Sequence, residues 1–297
     1  MADSLYAIRK LVYEEKKMTM EELKEALAWN YGKGIDAQSA ADITTIVTAE
    51  AQENGIRVNE QTATAVMTAA LGTEPSPEKK ARFEEIHKMI EEVPKFGNDI
   101  PDVDYFARDV AYTYTRPLQK YMNPRGGHYQ AGLYPVSANV PLGGQTGATP
   151  DGRYAHTPVA DGVSPSAGKD VKGPTAAATS VSRLDHFIVS NGTLFNQKFH
   201  PSALAGREGL EKFVALIRGY FDQKGMHMQF NVVDRETLLD AQKHPEKYKH
   251  LVVRVVRLQR IVHYTFPDLC RTISSDVLSR ASKGVTNGLF GYKGQDL

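Results

Sequence analysis

Three side chains near the middle of the sequence have the chemistry to hold a small polar molecule: Tyr134, Ser137 and Asn139. The run Leu133 to Val140 is short and apolar enough for a strand, and alternation along it sets Ser137 and Asn139 on one face and Tyr134 on the other. A phenol, a hydroxyl and an amide supply uncharged donors and acceptors, which suit a polyol or hydroxy acid held away from water. The same groups serve equally well to satisfy neighbouring backbone, so the residues alone leave both roles open. Further along, Asn191, Asn196 and Gln197, with Lys198, have side chains that could brace an adjacent loop or form a self-satisfied buried amide network.

Other chemistry is weaker on inspection. Thr146-Gly-Ala-Thr-Pro-Asp-Gly-Arg153 is glycine-rich but lacks the Gly-Lys-Ser/Thr ending of a phosphate loop, and Pro150-Asp151-Gly152 reads as one tight turn. His186, His200 and His227 share no metal-ligand spacing, so no bound metal is expected and core or surface roles are the default. No Ser/His/Asp order can be defended from sequence, because such triads are defined by geometry. Asp185-His186 is expected to be structural.

The elements that must carry these residues fall into two halves. Up to about residue 122 the pattern is helical: Leu5, Ile8, Leu11 and Val12 give helical spacing over Ser4 to Lys17, and Thr19-Met-Glu-Glu22 is a capping box opening a helix to about Tyr31. Helices are also predicted over Asp36 to Asn54, Glu60 to Leu71, Ser76-Pro77 to Glu92, and Val103 to Met122. From Asn123 glycine, proline and short apolar runs take over. Pro141 to Lys172 is a long loop with ten Gly and Pro residues, and a loop of that length usually carries function. Val189 to Phe195 and Lys198-Phe199 read as extended, Arg207 to Gln223 as a helix and Met226 to Val233 as a strand. A helix over Arg235 to His244 and a strand over Leu251 to Val255 complete the alternation of an α/β layer.

Composition narrows the field less. The 297 residues are 41% hydrophobic and 24% charged, with 36 Lys plus Arg against 35 Asp plus Glu. That balance gives no field for steering nucleic acid or an anionic membrane. The one cysteine excludes an intramolecular disulfide framework. The absence of an apolar leader or span makes a cytoplasmic, soluble protein the expectation.

Five blocks resemble, in order, landmarks of the C-terminal half of glycyl radical enzymes: Tyr134 to Gly143, Thr146 to Arg153, Ala160-Asp-Gly-Val-Ser-Pro165, Gly173-Pro-Thr175, and Ser190 to Ser202. Met226 to Val255 is similar to the run that leads into the radical-bearing loop of that family. The blocks are closest in form to glycerol and diol dehydratases, within a family that also holds formate acetyltransferase (pyruvate formate-lyase). The resemblance implies an α/β fold, the C-terminal half of a ten-stranded α/β barrel with flanking helices. It implies three regions: 1–122, the helical part of the pyruvate formate-lyase-like domain; 123–255, the barrel half leading into the glycine-radical domain; and 256–297, an aberrant tail. It also implies substrate contacts by Tyr134, Ser137 and Asn139 and support of the glycine loop by Asn191, Asn196 and Gln197.

The resemblance breaks at the radical residue. The family continues with x-Gly-Tyr-Ser, whereas this chain reads Val256-Arg257-Leu258-Gln259, placing Arg257 where the glycine belongs. Cys270 lies in the tail, and the family's mid-chain Gly-Cys-x-Glu loop, source of the thiyl radical, is not in these residues. Read one base later, permitted codons for Val-Arg-Leu-Gln-Arg give Ser-Gly-Tyr-Ser-Ala, which predicts out-of-frame translation from Val256; the alternative is a genuinely divergent tail. The expectation is a C-terminal fragment of a radical dehydratase, lyase or formate acetyltransferase-like enzyme that cleaves C–O or C–C bonds in a small polar substrate and is inactive alone. The alternative is a non-catalytic or structural partner of an intact homologue. The family needs no bound cofactor, but its glycine radical is installed by an S-adenosylmethionine iron-sulfur activating enzyme. That activating enzyme, a missing N-terminal half and a second copy of the chain are the expected partners.

Overall fold

A computed structural model describes residues 1–34, 75–134, 138–248, 252–254 and 259–261. The predicted helices Asp36 to Asn54 and Glu60 to Leu71, together with Ser137, Arg257 and Cys270, lie outside the described residues. The chain divides into two compact units, one built from Asp3–Val93 with Leu142–Thr157 and the other from Pro94–Pro141 with Pro158 onward.

In the first unit α1 (Ala2–Ile8) runs into a π-helical turn over Arg9–Glu14, where the sequence predicts one continuous α-helix. The extra residue in that turn shows in the Glu15 N–H, which donates five residues back to the Lys10 carbonyl at 2.8 Å. The capping box at the start of α2 (Met20–Ala28) forms as its sequence predicts. The Glu22 N–H donates to Thr19 Oγ1 at 3.1 Å and the Thr19 N–H donates to the Glu22 carboxylate at 2.8 Å. Helix α3 (Pro77–Glu92) starts with Pro77 at its first position, and Ser76 Oγ accepts the Lys79 N–H. Phe83, Ile86 and Ile90, at helical spacing, form its buried face.

The second unit holds α4 (Pro101–Leu118), which stops short of the predicted Met122. Its first strand, β1, covers only Gly132–Leu133, and the predicted strand does not reach Val140. Instead a short helix, α5, runs over Asn139–Gly144, so Asn139 is a helix-start residue and not part of an alternating strand face. Asn is favoured where helices begin and Pro141 fits a first turn, a local preference that outweighed the apolar run. Helix α6 (Pro174–Ser182) was not anticipated either; it opens on Pro174 after Gly173, whose φ of +88° suits glycine.

Beyond α6 the alternation is as predicted. Strand β2 (Gly192–Thr193) pairs with β1 in parallel. Strand β3 (Asn196–Phe199), helix α7 (Gly206–Asp222) and strand β4 (Gln229–Val232) form a parallel βαβ unit with Asn196 opposite Gln229. Asp234 caps α8 (Arg235–Lys243) by accepting the Thr237 N–H at 2.6 Å. Strands β5 (Val252–Arg254) and β6 (Gln259–Ile261) pair antiparallel. Register gives the β3–β4 pair two faces. Phe199 and Phe230 lie on one, against Phe213 of α7, while Asn196, Lys198, Gln229 and Asn231 share the other. Among the described residues no helix is long and apolar enough to cross a membrane.

Candidate active site

The polar face of β3 gathers a buried hydrogen-bond cluster inside the second unit. The Asn196 side-chain amide donates to the Asp161 carboxylate, and its carbonyl accepts from Gln229 Nε2 at 2.9 Å. The Asn196 backbone N–H donates to Ser164 Oγ at 3.0 Å. The Asp161–Ser164 segment is held against β3 because the Val163 N–H donates to the Leu194 carbonyl at 2.9 Å. Gly162, at φ +63°, makes this approach geometrically feasible, since a Cβ there would collide with the Leu194 carbonyl. Asp161, Ser164 and Asn196 are all buried, where low-dielectric surroundings strengthen the bonds between them.

Asn139 belongs to the same neighbourhood through its backbone: its carbonyl accepts the Val159 N–H at 3.1 Å, two residues before Asp161. The side chain is 2% exposed, yet its Oδ1 has no hydrogen-bond partner among the described residues. Leaving a buried acceptor unmet costs about 1–3 kcal/mol, which marks a position where a donor from outside the described residues would be stabilising. Tyr134 and Asn191 meet at Gly132. A Cβ on Gly132 would lie 2.7 Å from the Tyr134 ring and 3.2 Å from Asn191 Nδ2, so only glycine lets the two side chains close over β1. The Asn191 N–H also donates to the Ala131 carbonyl at 2.9 Å, fixing that register. Gln197 is buried but, one residue along β3, points to the opposite face from Asn196.

The structure thus gathers Asn196 and the Asp161–Ser164 segment into one cluster, links Asn139 to it by backbone, and joins Tyr134 with Asn191 at a second point. Asp161, Ser164 and Gln229 were not singled out from sequence as site residues. Their signal was present for Asp161 and Ser164, which stand in the Ala160 to Pro165 landmark, but their convergence with Asn196 depends on strand pairing.

The Thr146–Arg153 loop, in the first unit, is a structural turn as the sequence reading expects. The Gly152 N–H donates to the Thr149 carbonyl at 3.0 Å, closing the predicted tight turn. The Arg153 guanidinium donates to the carbonyls of Gly147, of Thr157 at 2.6 Å and of Tyr154 at 3.2 Å, which occupies the cation a phosphate would need. Asp151 is buried, which opposes its ionisation, but hydrogen bonds from Thr149 and Ser4 outweigh that and hold its carboxyl below the ordinary range.

The histidines have structural partners. His186 Nε2–H donates to the Val181 carbonyl at 2.8 Å, Thr193 Oγ1 lies 3.3 Å from Nδ1, and burial holds the imidazole below its usual pKa. Asp185 accepts from the Tyr112 phenol at 3.0 Å. His227 Nδ1 accepts the Phe195 N–H, and His200 caps the turn that follows β3. Among the described residues no three or more His, Cys, Asp or Glu side chains are placed to hold a metal ion.

Family models match nearly end to end along the described part of the chain. The pyruvate formate lyase-like model covers residues 1–143, and the glycine radical model covers residues 159–256, ending one residue before Arg257. The chain is 58% identical to the solved structure of 1,2-propanediol dehydration in Roseburia inulinivorans, with a TM-score of 0.83 over 94% of this chain and 33% of that one. It is 45% identical to the glycerol-bound B12-independent glycerol dehydratase from Clostridium butyricum, with a TM-score of 0.72 over 94% of this chain and 29% of that one. The indoleacetate decarboxylase of Tractidigestivibacter scatoligenes is 35% identical over 281 residues, 94% of this chain and 28% of the relative. The chain therefore spans only about a quarter to a third of the proteins it matches. These likenesses agree with the α/β barrel architecture implied by the parallel βαβ unit. With the glycine radical model falling on the segments that form the buried polar cluster, the pyruvate formate lyase-like model on the part before them, and these likenesses running along 94% of the chain, the chain belongs to the glycyl radical enzyme family.

Proposed function

We propose that this chain contributes the C-terminal barrel region of a glycyl radical dehydratase acting on a small vicinal polyol, with radical cleavage of a C–O bond. The observation that carries the reading is the 58% identity and 0.83 TM-score to the structure of 1,2-propanediol dehydration, supported by the likeness to a glycerol-bound dehydratase. In this reading residues 1–122 are the helical part of the pyruvate formate-lyase-like domain, 123–255 the barrel half, and 256–297 an aberrant tail. Tyr134, Ser137 and Asn139 contact substrate; the unmet Asn139 carbonyl oxygen fits a hydroxyl donor, which a diol supplies and an ionised carboxylate does not. Asn191, Asn196 and Gln197 support the glycine loop.

The chain by itself does not turn over substrate in this reading. Storage of spin on an α-carbon requires a residue without a side chain, and the position is taken by Arg257, whose guanidinium is strongly disfavoured in a buried loop. The family's thiyl cysteine has no counterpart here, because Cys270 lies in the tail. An S-adenosylmethionine iron-sulfur activating enzyme is the expected partner of the whole enzyme.

Two measurements test this. After anaerobic activation, the 297-residue chain should give no glycyl radical signal by electron spin resonance. A chimera of the Roseburia inulinivorans protein that carries residues 1–255 of this chain, followed by that protein's own glycine loop, should give the signal and dehydrate 1,2-propanediol. A radical-bearing chimera that leaves both 1,2-propanediol and glycerol untouched would refute the substrate assignment.

A further inference from the structure

A strap of chain, residues 159–164, ties the start of α5 to strand β3. Its attachment at the α5 end is the Val159 N–H, which donates to the Asn139 carbonyl at 3.1 Å. On the side of β3 the Asp161 carboxylate accepts from the Asn196 side-chain amide, the Val163 N–H donates to the Leu194 carbonyl at 2.9 Å, and Ser164 Oγ accepts the Asn196 N–H at 3.0 Å. Within the strap the Ser164 N–H donates to the Asp161 carbonyl at 3.0 Å, which closes 161–164 as a turn.

Of the attachments on the β3 side, Asp161 is the nearest to Val159. Two residues of chain span at most about 7 Å, so the point at which the carboxylate is held limits where Val159, and with it the Asn139 carbonyl, can sit. The Val163 and Ser164 contacts come after the left-handed Gly162, where the chain has already turned, and they control the Asn139 end less directly. Asp161 also sets the polarity of the cluster. An ionised carboxylate only accepts, so the Asn196 amide must turn its NH₂ toward Asp161 and its oxygen toward Gln229 Nε2, which donates to it at 2.9 Å. An amide at position 161 could either donate or accept, and that polarity would be lost.

We propose that Asp161 is a positioning residue for diol recognition: its buried carboxylate fixes the strap and the start of α5, and so holds the Asn139 side-chain oxygen where a substrate hydroxyl donates to it. Asp161 acts through Asn139 and does not touch substrate itself. The inference rests on the reading of Asn139 as a substrate contact, and the two are tested by different signals.

In the 297-residue chain, the side-chain amide resonance of Asn139, assigned by its loss in Asn139→Ala, should shift or double in Asp161→Asn. Ser182→Ala, a change at a buried residue elsewhere in the second unit, should leave that resonance in place. In the chimera with the Roseburia inulinivorans glycine loop, Asp161→Ala should raise the KM for 1,2-propanediol about tenfold, the loss expected for one hydrogen bond to a charged group. Its kcat and glycyl radical yield should stay within about twofold, the pattern of lost binding and not of lost chemistry. Asp161→Asn should recover part of the KM, since it keeps an acceptor. Once Asn139 is replaced by alanine, Asp161→Ala should add nothing further, because both changes remove the same contact. An Asn139 resonance that Asp161→Asn leaves unmoved overturns the proposal whether or not the chimera turns over, as does a full additional tenfold effect in the Asn139→Ala background. A shifted resonance in the chain together with a radical-bearing chimera inactive on both diols would remove the substrate assignment and keep the coupling of Asp161 to Asn139.

Discussion

At the scale of single residues, Gly162 has a role out of proportion to its size. Its left-handed backbone and the Leu194 carbonyl beside it leave no room for a side chain, and it lies between Asp161 and Val163, which both bond to the β2–β3 segment. Gly162→Ala should cost about 2–4 kcal/mol, the sum of left-handed strain and overpacking, seen as a lower urea midpoint with loss of near-ultraviolet signal. His186 gives a pH effect whose sign follows from its environment. Burial lowers its pKa from 6.5 in the folded state, so below that value the unfolded chain takes up a proton that the buried ring refuses. Stability is complete above pH 6.5 and falls as pH drops toward the depressed folded value. The slope contributed by this one proton reaches at most about 1.4 kcal/mol per pH unit. Urea midpoints between about pH 7.5 and 5.5 should show it, and His186→Gln should flatten it; an unchanged slope in the variant would assign the effect elsewhere.

At the scale of elements, the caps were the most legible feature. The Thr19–Glu22 box was visible as four letters because its hydrogen bonds are local, and Thr19→Ala should cost about 1 kcal/mol, measurable as a lower melting temperature of the chain. Ser76-Pro77 and Asp234 announced α3 and α8 in the same way. The segment around Asn139 was misjudged because Leu133 to Val140 is apolar in either conformation. Periodicity cannot separate a short strand from a short helix, and here β1 ends at Leu133 and α5 begins at Asn139. Helix α6 went unseen for a related reason: Pro174-Thr-Ala-Ala-Ala-Thr-Ser has little amphipathic contrast, and its burial comes from packing and not from a polar face.

At the scale of the whole molecule, the chain matches a third or less of its relatives, and its two units divide differently from the two halves suggested by composition. Among the described residues, helices dominate before residue 122 and loops with short strands follow it, but the loop Leu142–Thr157 belongs with Asp3–Val93, far away in sequence. That association rests on contacts such as the Tyr31 phenol donating to the Thr149 carbonyl at 2.6 Å and Ser4 donating to Asp151 at 3.1 Å. The chimera test acts at this scale. If residues 1–255 carry a competent barrel region, replacing only the loop that contains Arg257 should recover the radical, whereas a failure of the chimera to fold would place the defect upstream.

By itself the sequence determined the family, through ordered blocks whose glycines, prolines and amides are spaced for particular turns. It also determined the starts of α2, α3 and α8, whose capping bonds span three residues. Tertiary structure alone decided that Asp161, Ser164, Asn196 and Gln229 share one cluster and that the Asn139 oxygen is enclosed without a donor among the described residues. Those outcomes depend on strand register and on crossings between residues tens of positions apart, and no local preference of the chain encodes such distances.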